Sequence, residues 1–498
     1  MSFSDVIREH LTADPASPAI EFNNKWYTRG DVANIADRIS VLLDQAGVVK
    51  GCSVGMIVRN RLPHAAAILG FAAAQRSFSM IYAFQSPTAM ARDIEKLRFA
   101  AVIADREDWT ADVIAAARAA GSLGIAISLD GERAALVSGL GQTGAGPFAE
   151  NPPEPGIGVL TSGTTGAPKR IQIRMPVLER AASSAGAQVQ SSASEPPDLV
   201  FWPFGGIGGI CQVLGACYVG KRMVLLEKFT VEDWVGAVKR HRINKVGVQP
   251  TVIRMLLEAK VPREDLSSLE FIFGGSAPLE SSTQKQFEET YGLPVIWGYG
   301  ATEFAGTIVA WTPNLYKQFG AQKPGSIGKP FPGVQLRVAD PETGCEVATG
   351  EQGYLEALVP LVSSEWVRTT DVASIDAEGF VYLHGRGDGA INRGGFKILP
   401  ETVVKALQLH PAVLDAAVVG IEDSRLGQVP VAVVELRSGS AAPTEEELKA
   451  FLRDGLPAHH IPASIRVVDK LPRTPSLKVS LEGIKSLFEK ISADNSPA

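Results

Sequence analysis

The most informative stretch of the chain is Thr161-Ser162-Gly163-Thr164-Thr165-Gly166-Ala167-Pro168-Lys169, which combines four hydroxyl side chains, two glycines and one lysine. Glycines allow a ligand to approach the backbone closely, and hydroxyls and amides donate hydrogen bonds to phosphate oxygens. The lysine adds a mobile positive charge. The spacing differs from the Walker A pattern, and no Ser or Thr follows the lysine. The stretch predicts a loop that binds a pyrophosphate-bearing nucleotide; a Ser/Thr-rich surface turn is the alternative.

Length and composition limit the kind of protein that this can be. With 498 residues the chain is expected to form two or three structural units. A net charge of -6 gives no electrostatic case for nucleic-acid binding. The four cysteines show no CxxC spacing and have no histidine nearby, which suits a reducing compartment and predicts no zinc site. The N-terminal residues have no signal-peptide core, so we expect a cytoplasmic protein.

Short apolar runs alternate with helical patterns over the first two-thirds of the chain, which predicts an α/β domain of parallel sheets with crossover helices. Residues 65–75 are predicted as one of these helices. The uncharged run 199–220 is interrupted by a proline and four glycines, which favours a buried strand, a loop and a buried helix over a membrane span. The main motifs are predicted to follow strand ends, where ligands bind in such folds.

A second unit is predicted beyond residues 385–389, where three glycines in five residues mark a flexible junction. The order of patterns after it is helix, strand, strand, helix, strand, which is typical of a small α+β domain. Its helices are expected at 400–409 and 445–454, and its strands at 416–419, 431–436 and 465–468.

Three further clusters carry groups suited to nucleotide chemistry. Tyr299 lies between glycines and is free to stack on adenine; Thr302 can bond a phosphate oxygen, and Glu303 can bind Mg²⁺ through oxygen. A strand-end turn is the alternative for that cluster. Asp371 and Arg386 suit the two ribose hydroxyls, although such a pair in isolation is more often a surface ion pair. The lysine in Pro472-Arg473-Thr474-Pro475-Ser476-Leu477-Lys478 would by itself be read as solvated.

Taken in order, the four clusters resemble the adenylate-forming superfamily of acyl- and aryl-CoA synthetases, peptide-synthetase adenylation domains and luciferases. The resemblance runs from about residue 15 to 485. The first stretch resembles the TSGTTGxPK phosphate loop, and residues 299–303 resemble the YGxTE motif. Residues 369–371 resemble TGD with Thr370 in place of glycine, and Gly385-Arg386 matches the family's GR. Gly394-Gly395 matches the glycine loop of the small domain, and Lys478 matches the catalytic lysine.

The resemblance implies a large domain (1–385) that includes a small β-barrel-like part, a hinge (386–388, with Asp388 as its pivot) and a small mobile domain (389–498). It implies two steps: a carboxylate attacks the α-phosphate of ATP, and a thiol, usually that of CoA, then displaces AMP. Lys478, Thr302 and Glu303 are implied as catalytic, Glu303 also binding Mg²⁺. Residues implied in binding the nucleotide and CoA are Thr161, Ser162, Gly163, Thr164, Thr165, Gly166, Lys169, Gly275, Ser276, Gly298, Tyr299, Gly300, Asp371, Arg386 and Gly395.

Four positions depart from the family pattern. Gly206 replaces the histidine that usually lines the acyl tunnel, which widens the space for the acid. Leu477 replaces the glycine before the catalytic lysine, and Val404 stands where a glutamate is common. The segment 353–366 is short. None of these changes removes a group that adenylation needs.

The acid and the acceptor are the less constrained parts of the prediction. The acid pocket is expected to include Trp202, Phe204, Gly206 and Gly274. This set has no obvious charge and favours an aryl or medium-chain carboxylate over an amino acid, whose ammonium group would need a buried carboxylate. CoA is the expected acceptor, with an acyl carrier protein or an amine as alternatives. A nucleotide-binding pseudoenzyme is the competing class; the retention of Lys169, Glu303, Asp371, Arg386 and Lys478 argues against it.

Overall fold

The structure is a computed structural model that describes residues 2–160, 170–188, 194–393, 396–423, 425–474 and 477–492. The predictions for residues 161–169, Gly394 and Gly395 lie outside these ranges. The predicted two-part α/β architecture is confirmed within them.

The first part of the large domain is built around a seven-stranded sheet of order β7-β6-β5-β3-β4-β8-β9. The five inner strands, β6-β5-β3-β4-β8, are each parallel to their neighbours in the sheet. The edge strands β7 and β9 are antiparallel to their partners. The elements are α1 (Phe3–Thr12), β1 (Pro18–Phe22), β2 (Lys25–Thr28), α2 (Arg29–Gln45), β3 (Val54–Val58), α3 (Leu62–Ala73), β4 (Phe78–Tyr82), α4 (Pro87–Leu97), β5 (Ala101–Asp105), α5 (Ala111–Ala120), β6 (Leu123–Ile127), β7 (Ala134–Leu136), β8 (Gly156–Leu160), β9 (Arg170–Arg174) and α6 (Met175–Gln188).

The second part contains a mixed five-stranded sheet, β12-β13-β14-β15-β16, and an antiparallel meander, β17-β18-β19-β20. The large domain was expected to include a small barrel-like part, and the meander is its separate antiparallel sheet. The elements are β10 (Asp198–Val200), α7 (Ile207–Tyr218), β11 (Met223–Leu225), α8 (Val231–His241), β12 (Lys245–Val248), α9 (Pro250–Glu258), β13 (Phe271–Gly274), α10 (Ser281–Tyr291), β14 (Val295–Ala301), β15 (Gly306–Ala310), α11 (Pro313–Phe319), β16 (Lys329–Pro330), β17 (Gln335–Ala339), β18 (Gly353–Leu358), β19 (Val367–Ile375) and β20 (Val381–Arg386).

The small domain has a sheet of order β22-β21-β24-β23, with β25 added in parallel to β24. All five predicted elements are present, and β23 and β24 form a hairpin longer than the apolar runs suggested. The elements are β21 (Ile391–Arg393), β22 (Phe396–Ile398), α12 (Pro400–Gln408), β23 (Val413–Asp423), β24 (Gly427–Leu436), α13 (Glu445–Arg453), β25 (Ser464–Val468) and α14 (Leu481–Ser492).

Two local differences from the sequence predictions have clear causes. Helix α3 begins three residues before the predicted start, because Pro63 fits the first turn of a helix, and ends before Gln75, whose φ of 51° is left-handed. The motif 297–301 was expected in a loop after a strand, but it lies inside β14 because β15 pairs antiparallel with it.

The uncharged run 199–220 forms β10, a loop and α7, as predicted. Within the described ranges, no helix is long and apolar enough to cross a membrane.

Candidate active site

The nucleotide-binding stretch predicted from the sequence is flanked by paired strands. Leu160 at the end of β8 and Arg170 at the start of β9 are register partners, so the two ends of residues 161–169 are held side by side. Strand β4, the parallel neighbour of β8, ends at the same edge of the sheet. The role of residues 161–169 in phosphate binding stays a prediction.

Tyr299 lies on β14 with its ring largely buried, and its hydroxyl donates to Asp371 Oδ2 at 2.6 Å. Burial raises the pKa of Tyr299, and the negative charge of Asp371 adds to this effect, so the phenol stays neutral. Burial also raises the pKa of Asp371, although the hydrogen bond from Tyr299 partly offsets it. The pair therefore presents one remaining carboxylate oxygen in a partly desolvated position, which suits a ribose hydroxyl.

The glycines around Tyr299 are required by the pairing of β14. A Cβ on Gly300 would lie 2.0 Å from the carbonyl oxygen of Gly306, and one on Gly298 would lie 3.0 Å from that of Val309. Similarly, a Cβ on Gly274 would lie 2.1 Å from the Val248 oxygen, and one on Gly275 would lie 2.7 Å from the Gly298 oxygen. These positions lack a side chain because neighbouring backbone occupies the space. Backbone atoms therefore form the surface next to Tyr299.

Thr302 and Glu303 begin the short 3₁₀ turn that reverses the chain from β14 to β15. Glu303 is exposed and Thr302 is half-buried. Ser276, on the neighbouring strand end, is also exposed and has a left-handed φ of 68°. Among the residues that the structure describes, no group of three or more His, Cys, Asp or Glu side chains could hold a metal ion. An ion at Glu303 would therefore take its other ligands from phosphates and water, as Mg²⁺ commonly does.

Arg386 is paired within the protein. It is the register partner of Asp371 across β19 and β20, but its guanidinium donates to both carboxylate oxygens of Asp388, at 2.8 and 2.6 Å, and to Thr370 Oγ1 at 2.7 Å. Thr370, the departure from the TGD pattern, thus supplies an acceptor that a glycine lacks. The arrangement links the end of β20 to Asp388, the residue predicted as the pivot.

Lys478 reaches this site from the small domain. Burial lowers the pKa of Lys478, and the nearby positive charge of Arg386 lowers it further. The loop is closed by hydrogen bonds between Thr474 and Lys478. The Thr474 N–H donates to the Lys478 oxygen at 2.7 Å, Thr474 Oγ1 donates to the same oxygen at 3.2 Å, and the Lys478 N–H donates to Thr474 Oγ1 at 3.2 Å. Leu477 has a φ of 62°, which is a conformation that glycine adopts readily and which explains why glycine is usual there.

A buried ion network docks the lysine loop on the large domain. Arg254 of α9 donates to Asp415 of β23 at 3.1 Å and to Glu280 at 2.7 Å, and Arg473 of the loop donates to the same Asp415 oxygen at 2.6 Å. The side chain of Asp415 is 4% exposed. Thr251 Oγ1 also donates to the Leu477 oxygen at 2.9 Å.

The predicted acid-pocket residues have different environments. Trp202 Nε1 donates to the Gly247 oxygen at 3.0 Å, and its ring lies beside Gly208. Phe204 is fully buried in the hydrophobic core, and its N–H donates to Asn60 Oδ1 at 2.8 Å. Gly206 caps α7, and among the residues that the structure describes a Cβ there would meet only the Pro203 oxygen, at 3.8 Å. The described residues therefore leave room above Gly206, while the Phe204 ring faces the core.

Sequence reasoning missed Arg180, Cys211 and the docking residues Thr251, Arg254 and Asp415. Arg180 on α6 donates to the Phe304 carbonyl, immediately after the Thr302–Glu303 pair. Cys211 on α7 donates to the Ala305 oxygen at 3.7 Å. No local motif marks these residues. Arg180 and Cys211 approach the site only when α6, α7 and β15 pack together, and the docking residues meet only when α9 packs against the small domain.

The family of the chain follows from comparison with known proteins. Residues 7–363 match the family model of AMP-binding enzymes, and residues 404–478 match that of the AMP-binding enzyme C-terminal domain. This chain belongs to the AMP-binding enzymes. The family expected from the four clusters is thereby confirmed.

Curated relatives of this AMP-binding enzyme are acid–CoA ligases. The chain is 27% identical to a 2-succinylbenzoate–CoA ligase of Bacillus pumilus over 95% of each protein. It is 30% identical to a long-chain-fatty-acid–CoA ligase of Bacillus subtilis over 66% of this chain and 61% of that protein. The enzyme is an AMP-forming acid–CoA ligase by family, and these relatives differ in the acid that they are named for.

The fold also matches solved structures. The crystal structure of ATP-bound MatB from Rhodopseudomonas palustris superposes with a TM-score of 0.85 at 22% identity, covering 99% of this chain and 100% of that one. At this identity the likeness shows the shared two-domain fold.

Removing the central arginine of the docking network tests what the network does. Arg254→Met leaves Asp415 buried without one of its partners, and breaking such a pair typically costs about 3–5 kcal/mol. We expect pyrophosphate release to fall at least about 10-fold, because Lys478 is then docked less often. Thioester formation from a supplied acyl-adenylate should be spared.

Lys285→Met provides the matched control, since its pair with Glu289 is exposed. Equal loss of both half-reactions in Arg254→Met, with the control at the wild-type level, would count against a docking role.

Proposed function

We propose that this enzyme activates an aryl or medium-chain carboxylic acid with ATP and Mg²⁺, and transfers the acyl group to CoA. The observation that carries the proposal is the placement of Lys478, on the docked loop of the small domain, close enough to Arg386 for its positive charge to lower the pKa of Lys478. Arg386 is in turn the register partner of Asp371, which accepts from Tyr299. A mobile cation beside a nucleotide site suits a reaction in which negative charge must be neutralised and reactants positioned.

In the first half-reaction, an oxygen of the substrate carboxylate attacks the α-phosphorus of ATP. The bond to the bridging oxygen breaks, and pyrophosphate leaves with the electron pair. Lys478 neutralises charge on the carboxylate and the α-phosphate, while the Asp371 carboxylate accepts from the ribose. Thr161, Ser162, Thr164, Thr165 and Lys169 hold the β- and γ-phosphates in this proposal, and Glu303 binds Mg²⁺, which neutralises phosphate charge when bound.

In the second half-reaction, the CoA sulfur attacks the acyl carbon, the thiol proton is lost, and AMP leaves. The small domain (389–498) rotates about the hinge (386–388), which withdraws Lys478 and brings the Gly395 loop to the site. The Asp388 carboxylate is held by Arg386, and this bond lowers the pKa of Asp388 although burial alone would raise it. In the described arrangement, Asp388 is therefore charged and bonded to the end of β20, where the proposed hinge begins.

Two features support the choice of acid and acceptor. Among the described residues, a Cβ on Gly206 would meet only the Pro203 oxygen at 3.8 Å, and this room suits a bulky apolar body. The curated relatives named above are CoA ligases. An acyl carrier protein or an amine remains the alternative acceptor. The cytoplasm is the expected compartment, since all four cysteines are free thiols.

Incubation with ATP, Mg²⁺ and a panel of aryl and aliphatic acids, with and without CoA, tests the proposal. Pyrophosphate release together with an acyl-CoA product, identified by mass spectrometry, is the expected result. Release of pyrophosphate and an acyl-adenylate without a thioester would mean that the acceptor is not CoA. No pyrophosphate with any acid would overturn the proposal in favour of a nucleotide-binding pseudoenzyme.

The alkaline limit of adenylation should report the Lys478 charge. Because burial lowers the pKa of this lysine, its protonated fraction falls as pH rises through a value below the ordinary lysine pKa of about 10.4. The kcat/KM for ATP, which reflects the free enzyme, should decline there. Lys478→Arg should move this decline of kcat/KM to higher pH, because the guanidinium group stays protonated.

Lys478→Met should lower pyrophosphate release about 10²–10³-fold without loss of fold, the size typical of removing one electrostatic stabiliser. Lys470→Met, an exposed lysine of the same loop, is the control. An unchanged rate in Lys478→Met would contradict the assignment.

Gly206→His tests the width of the acid pocket. The open space above Gly206 accepts a side chain, so the melting temperature should be unchanged. The kcat/KM of the bulkiest accepted acid should fall about 10-fold or more, while the smallest acid is retained. By contrast, Gly208→Ala places a Cβ 2.4 Å from the Trp202 ring and should lower stability and all activities together. An unaltered acid profile in Gly206→His would remove Gly206 from the pocket.

A further inference from the structure

Arg180 is a largely buried cation with no acidic partner in the part of the chain that the structure describes. Its Nη2 donates to the Phe304 carbonyl, and its Nε is buried with no hydrogen-bond partner there. None of the ion pairs between described residues includes it. By contrast, the side chain of the neighbouring Arg174 is 41% exposed and pairs with Glu154.

The rest of the sequence offers no nearby counterion either. Residues 161–169 and 189–193, which flank β9 and α6 and lie outside the described ranges, contain no Asp or Glu. Of all residues outside those ranges, only Asp494 near the C-terminus is acidic. An anion for Arg180 is therefore expected from a ligand.

Burial lowers the pKa of Arg180, which shows that its charge is desolvated. The titratable group that faces it is the Cys211 thiol of α7, and burial raises the pKa of that thiol to about 12. Cys211 is thus neutral at physiological pH and gives no negative charge. Burying a cation without an anion costs free energy. An anionic ligand that pairs with the cation offsets this cost.

Arg180 lies beside the turn that carries Thr302 and Glu303. It donates to the Phe304 carbonyl, and Cys211 bonds the following carbonyl, that of Ala305. On β15, a Cβ added to Gly306 would meet, among the residues that the structure describes, only the Cys211 sulfur, at 3.9 Å. The described parts of α7 and β15 therefore leave room beside Gly306.

We propose that Arg180 binds a second carboxylate of the substrate, so that the acid activated by this enzyme is a dicarboxylate with an apolar body. One carboxylate faces Lys478 and reacts, and the other pairs with Arg180. This inference rests on the proposed function and narrows its substrate class. A guanidinium suits the task because its planar donors match a carboxylate.

Pairs of acids with equal carbon number test the inference: hexanoate against adipate, and octanoate against suberate. With wild-type enzyme, kcat/KM for pyrophosphate release should favour the dicarboxylate by about 10–100-fold, the range expected for hydrogen bonds to a charged group. Arg180→Met should abolish this preference and leave the monocarboxylate rate within about 3-fold. Arg180→Lys, which keeps the charge, should restore part of it. Arg174→Met is the control.

Three results would overturn the inference. A wild-type preference for monocarboxylates would refute it while upholding acid activation. An equal loss for all acids in Arg180→Met would mean that Arg180 only holds the Phe304 carbonyl. If no acid is turned over, the proposed function fails separately, and calorimetric binding of adipate decides the inference: equal affinity of wild type and Arg180→Met would refute it.

Discussion

The buried contact between Arg254, Asp415 and Arg473 is the constraint on which the site depends. It joins a helix of the large domain, the long hairpin of the small domain and the loop that carries Lys478. Burial alone would lower the pKa of Arg254, but the charges of Glu280 and Asp415 outweigh it and raise the pKa. The ions hold one another in their charged forms, and the lysine loop is positioned as a consequence.

The same contact explains how a site that is assembled from two separable domains can still have a defined geometry. Buried ion pairs add little net stability compared with apolar packing, but they require defined geometry. An apolar contact across this interface comes from Leu477, which packs against the large-domain core. An interface of this kind can hold one orientation and still separate, which domain alternation requires.

The sheet architecture supplies the other half of the site. Strand β14 carries Tyr299 between two neighbouring strands, and backbone fills the positions where side chains of Gly274 and Gly300 would stand. Asp371 arrives from the meander, and its bond to Tyr299 ties the two sheets together. The residues proposed to contact the nucleotide thus come from elements that are far apart in sequence.

Much of this could be predicted from the sequence, for identifiable reasons. Apolar runs bounded by glycines located β8, β13 and the small-domain strands, because buried strands need continuous apolar residues. The antiparallel return of β15 was missed, since the turn 302–304 lacks glycine or proline. Arg254 and Asp415 are 161 residues apart, and Arg180 lacks any local pattern. Such side-chain meetings follow from tertiary packing, which sequence periodicity does not encode.

The central claim is that the docked arrangement performs adenylation and must open for thioester formation. Glu258 and Ser438 are exposed, lie on opposite domains and touch at 3.2 Å. A bis-maleimide crosslink with an internal disulfide, formed between the cysteines of the double variant Glu258→Cys/Ser438→Cys, would lock the domains, with each single variant as control. We expect the crosslinked enzyme to form acyl-adenylate and pyrophosphate in a single turnover but no acyl-CoA, and we expect a reductant that cleaves the crosslink to restore the second step. Full thioester formation by the locked enzyme would contradict domain alternation.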